Sequence, residues 1–360
     1  MLTALIFILV IGVLVLVHEF GHFLFAKRAG MKVEEFGFGF PPRLWGIKKG
    51  ETMYSINWIP FGGFVKILGE DGDERGPRTF ASASFGNRLL VLVAGVTMNL
   101  LLAASLLVIV NFFGLRIGLV EGDTGHARNL EIQILDVSAG SPAAAAGLQP
   151  LDTLHGYTAD GRMVAFNSTK DVQDAVNTHL GQPLILDVAR GGELIEKTIT
   201  PRANPPAGQG ALGISLALTG IVTYPWYEAI WRGVLDMVLL TANTAVGYYS
   251  LLKTLLIHGR LMAEVSGPIG IASLTGQAAR VGFNYLLQFV GMISVNLAVL
   301  NIIPFPALDG GRVVILCVEK IKGSPIHKKS ESVLNAVGFY VLVMLMLYVT
   351  YKDISRFFIK

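Results

Sequence analysis

Residues 89–115, 281–308 and 332–351 each run without a single charged side chain. A helix that crosses the hydrocarbon core of a bilayer needs about 20 predominantly apolar residues, so each run is long enough to span. A chain with such runs folds with lipid as part of its solvent, and their backbone amides must be paired within helices or a closed barrel. A fourth run begins at residue 1: positions 1–17 are uncharged and 20–26 continue the apolar character, with His18, Glu19 and His22 set into its end. No basic segment precedes it and no small-residue cleavage site follows it, so it reads as a retained span and not as a signal peptide. The composition agrees, with 52% of residues hydrophobic and 15% charged, against about a quarter charged in soluble domains. Cys317 is the only cysteine and the 41 glycines follow no collagen-like period, which excludes a disulfide scaffold and a fibrous repeat. A net charge of +3 is too small to point to nucleic acid as a partner.

Between the second and third runs the composition changes. Residues 116–225 carry mixed charges, turns such as Ser141-Pro142 and Gly191-Gly192, and an alternating segment at 184–188, as expected of an extramembrane domain. Residues 226–260 are apolar only in part, and Trp226, Tyr227, Trp231, Tyr248 and Tyr249 suit a helix lying at the membrane interface. Residues 27–87 hold Lys27, Arg28, Lys32, Arg43, Lys48 and Lys49, and the loop before the last span holds Lys320, Lys322, Lys328 and Lys329. The positive-inside rule puts both on the cytoplasmic side, the N terminus and the extramembrane domain outside, and four spans in the membrane.

The string His18-Glu19-Phe20-Gly21-His22 is H-E-x-x-H. On a helix, histidines four apart share one face and can bind one zinc ion, with the glutamate placed to act as a general base on water. Ionisable groups inside a span are expensive and point by default to a function. A catalytic zinc takes a third protein ligand, and candidates within the spans are few: Asp236, at the border of the 226–260 segment, and Asp309, at the end of the third run. Asp309 follows Asn301-Ile302-Ile303-Pro304-Phe305-Pro306-Ala307-Leu308, where two prolines break the helix. Irregular backbone at membrane depth survives only where protein or a water-filled cavity surrounds it, as a hydrolytic site in a membrane requires.

H-E-F-G-H in the first span and N-x-x-P-x-P-x-L-D-G-G in the third resemble the site-2 protease family of intramembrane zinc metalloproteases, and within it the bacterial regulator of sigma-E protease group. Gly62-Gly63-Phe64-Val65-Lys66 and Ser266-Gly267-Pro268-Ile269-Gly270-Ile271-Ala272 extend the similarity along the chain. The resemblance implies a Zn2+ ion held by His18, His22 and Asp309, Glu19 as general base, and Asn301 as a substrate-orienting residue. It also implies a membrane-re-entrant β-loop that holds substrate around Gly62, Gly63 and Phe64, and residues 52–68 read as a hairpin about a turn at 60–63.

Residues 141–152, Ser-Pro-Ala-Ala-Ala-Ala-Gly-Leu-Gln-Pro-Leu-Asp, resemble the S-P-A-x-x-A-G-L-x-x-G-D stretch of bacterial PDZ domains, with Leu151 at the usual glycine. A helix at 171–180 and a strand at 184–190 fit one such domain, where well-known relatives carry two in tandem. The expected protein is an α-helical polytopic membrane protein of four transmembrane helices, with a membrane-associated β-hairpin and an inserted α+β PDZ domain. Its expected segments are a first span at 1–26, a β region at 27–87, a second span at 88–115 and the PDZ domain at 120–205. An interfacial amphipathic helix at 225–262 and spans at 281–318 and 332–352 complete it. The expected activity is zinc-dependent cleavage of transmembrane segments of single-span proteins, such as shortened anti-sigma factors or signal-peptide remnants, in a bacterial inner membrane. The expected partners are those substrates, the lipid bilayer, and a peptide or C terminus at the PDZ domain. The rival readings are a non-proteolytic membrane PDZ scaffold and a zinc hydrolase of another membrane substrate, such as a prenylated peptide.

Overall fold

The computed structural model describes residues 2–70, 76–119, 127–159, 161–206, 208–258, 267–324 and 326–358. The chain forms two compact units, Met1–Leu107 with Gly233–Gly276 and Phe289–Lys360, and Val108–Arg232 with Gln277–Gln288. In chain order the elements are α1 (Leu2–Arg28), β1 (Val33–Lys49), β2 (Thr52–Ile67), α2 (Phe85–Phe113), β3 (Leu115–Gly118), β4 (Arg128–Val137), α3 (Pro142–Ala145) and β5 (Thr153–Ala159). There follow β6 (Arg162–Ala165), α4 (Thr169–Thr178), β7 (Leu184–Arg190), β8 (Glu193–Ile199), β9 (Ile214–Val222), α5 (Trp226–His258), α6 (Pro268–Val281), α7 (Phe283–Ile302), α8 (Asp309–Lys322) and α9 (Lys328–Phe358).

Among the described residues, five helices are long and apolar enough to cross a membrane: Leu2–Arg28, Phe85–Phe113, Trp226–Thr254, Phe283–Ile302 and Lys329–Ser355. The third of these is the expected interfacial segment; it forms one unbroken 33-residue helix and is the least apolar of the five. The expected third span at 281–318 divides in two, because Pro304 and Pro306 lack amide protons and end α7 before α8 begins at Asp309. Part of the 225–262 segment, and Ser266, lie outside the described residues.

In the first unit a cluster of Ala26, Met31, Val33, Ile67, Val91, Leu92 and Leu316 joins the end of α1 to β1, β2, α2 and α8. The hairpin expected about residues 60–63 has its turn elsewhere: β2 runs through that stretch, and the chain reverses at Gly50 and Glu51, where Lys49 pairs with Thr52. Residues 33–38 pair with 63–67 and residues 43–49 with 52–57, so the two limbs of β2 do not fold onto each other. Phe38 has Gly63 on one side and Ile56 on the other. Glycine permits this crowding, because a Cβ on Gly39 would stand 2.6 Å from the Ile59 carbonyl oxygen. At the start of α6 the buried Asp353 carboxylate of α9 accepts the amides of Gly267, at 3.2 Å, and Gly270, at 2.8 Å.

The second unit is a seven-stranded antiparallel sheet ordered β3-β9-β4-β5-β7-β8, with β6 paired to β5. Inward residues alternate along β7, so Leu184, Leu186 and Val188 are buried with Ile132, Ile134 and Leu154 beneath Val172, Ala175 and Val176 of α4. α4, expected at 171–180, starts at a capping box in which Ser168 Oγ accepts the Asp171 amide and Asp171 accepts the Ser168 amide. Buried Asp152 takes a bidentate pair from Arg190, at 2.7 and 2.6 Å, which holds the 147–152 turn to β7. The first turn of α7 docks on this sheet, where Tyr285 Oη donates to Gln133 Oε1 at 2.6 Å and Asn284 Nδ2 to the Gly114 carbonyl at 3.3 Å.

Candidate metal centre

The last turns of α1 place His18 and His22 on one helix face, with their Nε2 atoms 3.2 Å apart. That face packs closely on α2, since a Cβ at Gly21 would lie 2.5 Å from the Ala94 carbonyl oxygen. His22 Nδ1 donates to the Val91 carbonyl oxygen at 2.8 Å, which leaves the lone pair of the ring on Nε2. Asp309 Oδ2 completes the group, 3.0 Å from His18 Nε2 and 3.4 Å from His22 Nε2. These are the described His, Cys, Asp and Glu side chains whose atoms converge as a metal site would require. Asp236, the other candidate from the sequence, is not among them.

The local fold explains how Asp309 reaches this point. After α7 the chain turns through Ala307 in the left-handed region at φ 71°, and α8 begins at Asp309 itself. Gly310 and Gly311 are pressed so tightly against the turn that Cβ atoms there would meet the carbonyl oxygens of Ile302 and Phe305 at 2.3 and 2.2 Å. No larger residue fits at either position, so the two glycines after Asp309 are a steric requirement of presenting the carboxylate at the break.

Two features fit these residues to a metal ion. Asp309 Oδ2 is buried and accepts no hydrogen bond, although two imidazole nitrogens stand beside it. Opposite, α2 presents Gly95, where a Cβ would lie 2.5 Å from His22 Nε2 and 2.7 Å from His18 Nε2, so the notch beside the ligand atoms stays open. The donor set of two imidazoles and a carboxylate suits zinc. Donor separations of 3.0 to 3.4 Å match the edge of a tetrahedron with bonds of about 2.0 Å, roughly 3.3 Å.

The other residues singled out from the sequence fall around this group. Glu19 is half-buried on α1 beside His18, and β2 passes next to it: a Cβ on the buried Gly63 would stand 3.3 Å from Glu19 Cγ. Gly62, at φ 95°, and Phe64 flank Gly63 on the same strand. Asn301 lies half-buried in the last turn of α7, next to the break. Sequence reasoning missed the contribution of α2, where Val91, Gly95 and Asn99 recur every fourth residue on one face. An isolated glycine in an apolar helical run was the available signal, since such a residue generally has a packing reason.

Comparison with known proteins agrees over almost the whole chain. The profile described as Peptidase family M50 matches residues 6–345. A protein of Clostridium perfringens whose name includes the words zinc metalloprotease is 37% identical over 348 residues, covering 96% of this chain and 97% of the relative. The zinc metalloprotease RasP of Geobacillus kaustophilus is 28% identical over 440 aligned positions, covering 98% of each. The regulator of sigma-W protease RasP of Bacillus subtilis is 27% identical over 442 positions, covering 99% of each. With a profile match that spans both the His18-Glu19-Phe20-Gly21-His22 helix and the Asp309 turn, this chain belongs to peptidase family M50.

Proposed function

We propose that the chain is a zinc-dependent intramembrane endopeptidase of the site-2 type, which cleaves transmembrane segments of single-span membrane proteins. The observation that carries this reading is the meeting of His18, His22 and Asp309 within a span and at a helix break, facing the Gly95 notch. The names of the relatives support zinc as the metal.

His18, His22 and Asp309 would hold the ion, which when bound supplies Lewis acidity and a water nucleophile active near neutral pH. Glu19 takes the proton of the attacking water and passes it to the leaving nitrogen. Asn301, at the end of α7, orients the substrate. A substrate helix hides its peptide bonds in its own hydrogen bonds, so it must be extended before attack; the strand around Gly62, Gly63 and Phe64 would hold it by main-chain pairing. The closeness of Gly63 to Glu19 supports that role.

The same geometry supports a reading with four crossings. The ends of α1 and α7 meet at the metal site, so both helices run in one direction through the bilayer. α2 returns the chain between them. Were α5 to cross as well, α6 would have to cross back, and its 14 residues extend only about 21 Å against a core of about 30 Å. In this reading α5 lies along the interface. With the basic stretches inside, the N terminus and the sheet unit face the exterior of a bacterial plasma membrane. The sheet unit is a single PDZ-type domain that takes an extended peptide or a free C terminus. Anti-sigma factors shortened by another protease are a fitting substrate class, given a relative named for sigma-W regulation.

The test is made on purified full-length protein. It carries about one zinc per chain, and the Glu19→Gln variant keeps that zinc, loses cleavage of a model transmembrane substrate by about 10²- to 10⁴-fold, and retains bound substrate for identification. Protein that holds no zinc points instead to a scaffold, and a Glu19→Gln variant that still cleaves removes Glu19 from the mechanism.

A further inference from the structure

We propose that Asn99 is a positioning residue for the metal site: its side-chain oxygen accepts the Nδ1–H of His18, which keeps the lone pair of that ring on Nε2. The inference rests on His18 being a metal ligand, as proposed above.

Asn99 is fully buried, its amide nitrogen lies 3.4 Å from His18 Nδ1, and its Oδ1 is buried without a hydrogen-bond partner. An amide nitrogen can only donate, so in that orientation His18 must accept at Nδ1 and carry its proton on Nε2. A proton there would occupy the lone pair that faces Asp309 Oδ2, 3.0 Å away, and close the position to a metal. A half-turn of the nearly symmetric amide exchanges its ends within the same space. Oδ1 then gains its partner, the proton moves to Nδ1, and Nε2 is free. One rotation thus pairs the oxygen with His18 and frees the ligand lone pair, while the amide nitrogen moves to the place the oxygen held.

The surrounding structure gives Asn99 the rigidity such a role needs. Its carbonyl oxygen accepts Ser294 Oγ of α7 at 2.7 Å, and Ser294 is itself fully buried. His22 is held in the corresponding way, by Nδ1 donation to the Val91 carbonyl oxygen at 2.8 Å. Val91, Gly95 and Asn99 are four residues apart, so one stripe of α2 provides an acceptor for each imidazole with the glycine notch between them.

The experiment measures zinc retention of the purified full-length protein against a competing chelator, for wild type, His18→Ala, Asn99→Ala, Asn99→Leu and Asn99→Asp. Partners of this kind typically contribute 10- to 100-fold in metal affinity. Asn99→Ala and Asn99→Leu are expected to weaken zinc by that factor while melting normally in the metal-free form. Asn99→Asp, which can only accept, is expected to stay within about threefold of wild type. The d–d absorption of the cobalt-loaded protein should shift in the alanine and leucine variants. Alanine and leucine variants that hold zinc as wild type does overturn the proposal, as does an aspartate variant as weak as alanine. If the aspartate variant does not fold, the other two decide. Zinc binding indifferent to His18→Ala instead overturns the ligand assignment, so failure of the metal reading and failure of the Asn99 role are told apart.

Discussion

Arg312, one turn along the helix that starts at Asp309, reaches back to form an ion pair with Glu70 just beyond the end of β2. The element carrying the carboxylate of the candidate site is thereby tied to the strand that passes Glu19. The side chains are 37% and 19% exposed, so the pair contributes on the order of 1 kcal/mol. Arg312→Glu and Glu70→Arg should each lower the melting temperature and the cleavage rate, and the charge-swapped double variant should recover part of both. A double-mutant cycle with no coupling would show that the contact does not join the two elements energetically.

Gly95 makes a sharper prediction, because it concerns one added methyl group. A Cβ there would intrude to 2.5 Å from His22 Nε2 and 2.7 Å from His18 Nε2. Gly95→Ala should therefore lower zinc affinity by at least about tenfold. The control is Gly86→Ala on the same helix, whose Cβ would meet nothing within 4 Å. Equal zinc content in the two variants would mean that the space beside the histidines is not where a metal sits.

A pH dependence is expected at the turn between β1 and β2. Arg78 Nη2 at 2.7 Å and Lys27 Nζ at 2.8 Å donate to Glu51 Oε1 and hold its carboxyl down from 4.5 to about 2. A carboxyl lowered on folding stabilises the fold fully above its unfolded value and loses that contribution as pH falls through the folded value. The turn should be indifferent to pH between 7 and 5 and loosen between about 4.5 and 2. Hydrogen exchange of amides 49–53, corrected for intrinsic rates, reads this directly. Glu51→Gln should flatten the profile, and a wild-type turn equally protected at pH 5 and pH 3 would contradict it.

What could be read from the sequence follows the range of each interaction. His18 and His22 were legible together because a helix repeat alone places them on one face, whereas Asp309 stood beside Asp236 as a candidate until the resemblance of its string singled it out. The long apolar helices were legible because bilayer thickness sets a length that composition reveals. The part played by α2 was not, because Val91, Gly95 and Asn99 look like any other uncharged positions until α1 is packed against them. The turn at Gly50 was missed for a related reason. Alternation marks residues 52–68 as strand, but whether its limbs pair with each other or with residues 33–49 depends on glycines that admit a third backbone.

The Gly267-Pro268-Ile269-Gly270 string, recognisable in the sequence but unexplained by it, acquires a physical reason at Asp353. Its carboxylate is 3% exposed and accepts two amides at the start of α6, those of Gly267 and Gly270. Pro268 occupies the first helical position, where a missing amide proton costs nothing. A side chain at Gly267 would place its Cβ 2.8 Å from Asp353 Oδ2, so the glycine is what lets α9 approach. A carboxylate at a helix N terminus also meets the positive end of the helix dipole. Asp353→Ala strips two buried amides of their acceptor and should cost about 1–3 kcal/mol, read as a lowered melting temperature and faster exchange at amides 267 and 270. Asp353→Asn keeps one oxygen and should cost less, and Gly267→Ala should resemble Asp353→Ala because it displaces the carboxylate. An Asp353→Ala protein that melts with wild type and keeps both amides protected would show that some other group holds the start of α6.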